Sequence, residues 1–115
     1  MTASTVRSLD VEALRTATDS HAALAAVIAD DIEWVDIDPS HARTFFHGRA
    51  EVLAMLDGLH ERGIVTQVLD GFAAGDRAAL TVTCTMDEGV LFTNALLDVR
   101  DGNITRWFGV EGWDA

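Results

Sequence analysis

The chain has 115 residues, 49% of them hydrophobic, with eight basic against nineteen acidic side chains and a formal charge of −11. That length supports one hydrophobic core and one domain, and so acidic a surface repels phosphate backbones and anionic bilayers, which argues against nucleic-acid and membrane partners. The single cysteine, Cys84, permits neither an internal disulfide nor a thiolate metal cluster, so the expected compartment is a reducing cytoplasm.

Residues 1–10 lack the apolar stretch of a secretory signal, and no window approaches the roughly twenty apolar residues of a membrane span. The expected organisation is a flexible N-terminus over 1–8 and one domain over 9–115.

Val11, Leu14 and Ala17 recur at helical spacing behind Ser8 and Asp10, which predicts a short helix over 9–18. Ser20 reads as the cap of a second helix carrying Ala23, Leu24, Val27 and Ile28, ended by Asp30-Asp31. Residues 32–37 alternate with period two and predict a strand closed by Pro39, the only proline. After a loop over 39–43, Thr44–His47 reads as a short strand and Gly48 as a break. Val52, Leu53, Met55, Leu56 and Leu59 then mark a helix over 49–61. Turn signals at 74–76, 87–89 and 101–103 divide the rest into strands near 64–73, 77–87, 90–100 and 103–111. In the second of these, Ala78, Leu80, Val82, Cys84 and Met86 form an apolar face that should meet the helices. Helices first and a meander afterwards define an α+β fold without βαβ units or a glycine-rich phosphate loop, so nucleotide binding has no support.

Ile28-Ala29-Asp30-Asp31-Ile32-Glu33-Trp34, Phe46-His47-Gly48-Arg49, Phe92-Thr93-Asn94 and the run Asp98 to Trp107 occur in an order that resembles the NTF2-like superfamily, in its SnoaL-like and ketosteroid-isomerase-like branch. The resemblance spans roughly residues 9–111. It implies three N-terminal helices packed on a strongly curved antiparallel sheet, a cone with an internal pocket, often in a homodimer joined through the sheet. Superfamily members include isomerases, cyclases, dehydratases, epoxide hydrolases and proteins without catalytic activity, so fold alone leaves function open.

Counting from Asp31 as in the ketosteroid isomerases places Asp36 at the position of their general base. Those isomerases add an oxyanion hole of tyrosine and a protonated aspartic acid. Here there is no tyrosine, and the position of the protonated acid matches Ala95. The aspartate that limonene epoxide hydrolases place two residues after the last-strand tryptophan is Gly109. Neither machinery is therefore expected.

Asp36 shares a strand face with Ile32 and Trp34; if that face is buried, desolvation raises its carboxyl toward base-competent values. His41 and His47 stand near the expected pocket mouth, where an imidazole could shuttle a proton or bind a carbonyl. Asp36, Asp38, His41 and His47 match no established metal spacing, and no metal or other cofactor is expected. Asn94 could orient a ligand, although strand parity does not decide its face. Glu111 alternates with Trp107 and Gly109 and reads as a second acid or base. Trp34, Phe46, Phe72 and Trp107 are expected around the cavity, where core and pocket wall can be the same residues.

The reading is thus a small-molecule enzyme performing cofactor-independent isomerisation, cyclisation or dehydration of an apolar or polycyclic ligand. Asp36, His47 and Glu111 would be its catalytic groups, with Trp34, Asp38, His41, Phe46, Phe72, Asn94 and Trp107 lining the substrate. The rival is a non-catalytic ligand-binding or dimerisation module. The enzyme reading requires an inward-facing, poorly solvated Asp36 beside an open cavity, and Trp34 meeting Trp107 across a closed core would overturn it.

Overall fold

Asp10 and Asp19 each accept a hydrogen bond from the backbone N–H three residues on, at 3.0 and 3.1 Å, and so begin two short helices, α1 (Val11–Thr16) and α2 (Ser20–Ala25). The computed structural model describes residues 7–114, and residues 1–6 of the expected flexible N-terminus lie outside them. The cap of α2 is Asp19 rather than Ser20, which is buried as the first helical residue, its hydroxyl 3.5 Å from the Val68 N–H.

The second helix is shorter than its apolar spacing predicts. Val27 and Ile28 continue the helical pattern, yet β1 (Ile28–Ile37) has already begun. Both residues are β-branched and fit a half-buried pleat, and the Ile104 N–H bonds to the Val27 carbonyl at 2.7 Å. An irregularity between Ile28 and Glu33 leaves Asp30 and Asp31 exposed, with Asp31 paired to Arg100 at 2.9 Å.

From β1 the chain turns through an exposed loop into β2 (Arg43–His47), then α3 (Arg49–Glu61), whose bounds match the sequence expectation. Gly48 joins them at φ +84°, a left-handed conformation that favours glycine. The remaining strands are β3 (Val65–Ala74), β4 (Arg77–Met86), β5 (Gly89–Arg100) and β6 (Asn103–Trp113).

All six strands form one sheet in the order β2-β1-β6-β5-β4-β3. Its pairings are antiparallel except β1 with β6, which run parallel, so the sheet is mostly rather than wholly antiparallel. Bulges at Val68/Asp70 and Asp98/Val99 add local twist and bend.

The three helices cover the concave face, where Leu24, Ile32, Val52, Val68, Leu80 and Ile104 are almost wholly buried. Ala78, Leu80 and Val82 point inward as the alternation in β4 predicts. Register places Phe72, Leu96 and Val110 on the opposite face, with Phe72 79% and Leu96 68% exposed. Among the described residues no helix is long and apolar enough to cross a membrane.

Candidate functional site

Two residues apart on β1, Trp34 and Asp36 face the same way, and the parallel register sets Trp34 beside Trp107 and Asp36 beside Gly109 of β6. The two indoles stack at 4.0 Å between centroids, with planes 3° apart. Each gives its N–H to a different oxygen of one carboxylate, Trp34 Nε1 to Asp36 Oδ2 at 2.6 Å and Trp107 Nε1 to Asp36 Oδ1 at 2.9 Å. A single acid is thereby gripped by both strands.

Gly109 makes room for that grip. A Cβ at this position would collide with Asp36 Oδ1, and would stand 2.7 Å from Trp107 Nε1 and 2.8 Å from Thr93 Cγ2. The Asp36 carboxylate therefore fills the space that a side chain on the neighbouring strand would take.

Burial pushes the Asp36 carboxyl above its ordinary range, while the N–H groups of Trp34 and then Trp107 pull it back by stabilising the anion. A second acid, Glu111, stands two residues beyond Gly109 on β6 with Thr93 as its cross-strand partner on β5. Burial first, then the charges of Asp36 and Asp38, raise Glu111 to about 7. Two carboxyl groups thus differ in environment: one is held by two hydrogen-bond donors, the other is poised to exchange a proton near neutral pH.

Both acids, both indoles, Thr93 and Cys84 border a cavity of about 50 Å³ roofed by Met55 and Leu59 of α3. Burial raises the Cys84 thiol, opposed by its 3.7 Å contact with the Thr66 hydroxyl. Trp34 and Trp107 do meet, but side by side on paired strands rather than across the core, so they narrow the cavity without closing it. Pockets for drug-sized ligands occupy about 300–1,000 Å³. A polycyclic ligand is several times too large for the space present.

Of the residues singled out from sequence, Trp34, Asp36, Trp107 and Glu111 converge here. Phe46 packs on the core from β2, opposite Trp34, without bordering the cavity. Phe72 does not line the cavity; the bulge after Val68 sets it on the outer face. Asn94 is on the outer face as well, where its Oδ1 accepts from the Thr81 hydroxyl at 2.9 Å.

His47 is exposed, its Nδ1 3.6 Å from Glu33, and does not reach the cavity. Asp38 organises the exposed loop: its Oδ1 accepts from the Ser40 and Ala42 N–H groups and the Ser40 hydroxyl, which holds its carboxyl below the usual range. His41, at φ +71°, belongs to that turn. Among the described residues, no three His, Cys, Asp or Glu side chains converge as metal ligands.

Thr93, Met55 and Leu59 are among the cavity residues that the sequence left unassigned, and Gly109 stands beside them against Asp36. Gly109 carried a signal, since a glycine inside a strand, two residues after a large aromatic, marks close approach by another group. Nothing in the parity of β5 alone distinguishes the face of Thr93 from that of Asn94.

The model of the SnoaL-like domain matches residues 11–107, and the chain belongs to that family. The fold is shared with a candidate ketosteroid isomerase from Kribbella flavida at 22% identity and TM-score 0.64, covering 91% of this chain and 73% of that one. A protein from Catenulispora acidiphila with a ketosteroid-isomerase-like fold, solved in complex with trimethylamine, aligns at 17% identity and TM-score 0.61 over 87% of this chain and 83% of its own. An NTF2-like protein of unknown function from Mesorhizobium loti aligns at 26% identity and TM-score 0.61 over 81% and 78%. No curated protein matches the chain in sequence.

Proposed function

We propose that the cavity binds a small substrate and that Asp36 and Glu111 transfer protons to and from it, in a cofactor-independent isomerisation, cyclisation or dehydration. The observation that carries this reading is the pair of carboxyl groups in one cavity, with Glu111 raised to about 7 beside the doubly hydrogen-bonded Asp36. A group with that affinity for protons works as acid or base at neutral pH, typically contributing about 10²–10⁴-fold. The size of the cavity favours a ligand of few atoms, as trimethylamine is in the Catenulispora protein.

The non-catalytic reading has one observation in its favour, the stacked indoles bordering so small a cavity. Turnover decides between them. Wild type, Asp36→Asn and Glu111→Gln are assayed against small hydroxy, keto and enol compounds, each with and without an amino substituent. The catalytic reading expects a pH–rate limb near 7 that disappears in Glu111→Gln, and turnover abolished in Asp36→Asn. Binding without conversion in wild type favours the binding module.

A homodimer through the outer sheet face belongs to the same proposal, supported by the exposed Phe72, Leu96 and Val110. Light scattering should give twice the monomer mass for wild type and the monomer mass for Leu96→Glu; a monomeric wild type overturns this part. A reducing cytoplasm suits the unpaired Cys84.

A further inference from the structure

We propose that the ligand of this cavity is a small organic cation, an alkylammonium of a few non-hydrogen atoms, held by Asp36 and Glu111 against the indole pair. The inference rests on the reading of the cavity as a small-molecule site and names the class of ligand it takes.

Two carboxyl groups open into one small space, and nothing basic accompanies them. All eight basic residues of the chain are arginines, and none lines the cavity. Three are paired elsewhere, Arg15 with Glu12, Arg77 with Asp98 and Arg100 with Asp31. Two more donate to backbone carbonyls, Arg49 to Ile28 and Arg62 to Gly58. The partners of Asp36 are neutral indole N–H groups, which satisfy its hydrogen bonds without balancing its charge. Buried charges are ordinarily paired as well as hydrogen-bonded, and here no basic side chain among the described residues lines the cavity to supply the compensating charge.

A bound cation supplies it. An ammonium N–H donates to carboxylate lone pairs that the indoles leave free, and its alkyl groups meet Met55 and Leu59. Indole rings are the best aromatic partners for a cation, with separations up to about 6 Å still attractive. Anionic ligands are repelled by both acids and by the net charge of −11, and neutral ligands leave the imbalance as it was. Binding an ammonium also favours ionised Glu111, so its proton is released to solvent as the cation enters.

The test uses three isosteres, isopropylammonium, isopropanol and isobutyrate, titrated calorimetrically into the full-length protein at constant ionic strength and at pH 6 and 8. The expected result is binding of isopropylammonium alone, about tenfold tighter at pH 8 than at pH 6 through linkage to Glu111. Glu111→Gln should bind the cation with little pH dependence, and Asp36→Asn should lose it, with circular dichroism confirming that both variants are folded. Isopropanol binding as tightly as the cation overturns the proposal while leaving a small-molecule site in place. No binding of isopropylammonium at millimolar concentration also overturns it. The acid–base reading is then judged separately, from the carboxyl resonance of Glu111 followed by NMR across pH 7.

Discussion

Glu111→Gln should make the protein more stable at pH 8 and leave it unchanged at pH 4. The Glu111 carboxyl has its folded-state midpoint raised from 4.5 to about 7. An acid raised in this way holds its proton more tightly folded than unfolded, so stability is highest below the unfolded value and falls as pH rises toward the folded one. The elevation sets an upper bound of about 3 kcal/mol. Because Glu111 is only partly buried, solvent screening reduces this to about 1–2 kcal/mol. For a chain of this length that corresponds to about 4–8 °C in Tm. Differential scanning calorimetry of wild type and variant from pH 4 to pH 8 measures it. Curves that diverge between pH 4.5 and 7, with the variant higher above 7, agree with the argument. Curves that stay parallel, or a wild type that gains stability over that window relative to the variant, refute the burial and charge assigned to Glu111.

Gly109→Ala should cost about 1–3 kcal/mol, the usual range for overpacking, since its methyl enters the space of Asp36, Trp107 and Thr93; urea unfolding gives the cost, and the near-ultraviolet signal of the stacked indoles should weaken with it. Trp107→Phe keeps a ring but removes one of the two donors to Asp36, and a charged hydrogen bond is worth about 1.5–3 kcal/mol. The loss should be largest at neutral pH and shrink in acid as Asp36 protonates, which denaturation at pH 3 and pH 7 compares. Asp19→Ala should cost about 1 kcal/mol by uncapping α2; a loss under about 0.3 kcal/mol by urea titration would contradict the role of Asp19 as cap.

Periodicity and turn residues made most of the fold legible. Helix α3 matches because its apolar positions repeat over three turns and Gly48 and Gly63 bound it. The error at 26–31 came from Val27 and Ile28, whose spacing suits a helix while their partner on β6 lies some 75 residues away and is invisible to a local pattern. Asp36 was legible through its alternation with Trp34, and Glu111 through its alternation with Trp107. What alternation could not supply was the face of each later strand: the irregularity after Val68 sends Phe72 outward, and Asn94 follows its pairing with Thr81. His41 and His47 were expected at the pocket mouth. Strand β2 instead pairs His47 with Glu33 on the side away from the cavity.

The parallel pairing of β1 with β6 has a consequence for synthesis. Residues 34 and 36 leave the ribosome long before residues 107 and 109, and Asp36 has no indole from β6 to receive until that last strand arrives. During translation the half-made sheet lacks its central strand, so no strand pairing joins β1 and β2 to the ladder of β3, β4 and β5 until β6 arrives. Closure then joins contacts of high sequence separation in one late step. Folding of the nascent chain should therefore complete only after β6 has cleared the exit tunnel, and the acid at its centre becomes buried at the same moment that the domain becomes whole.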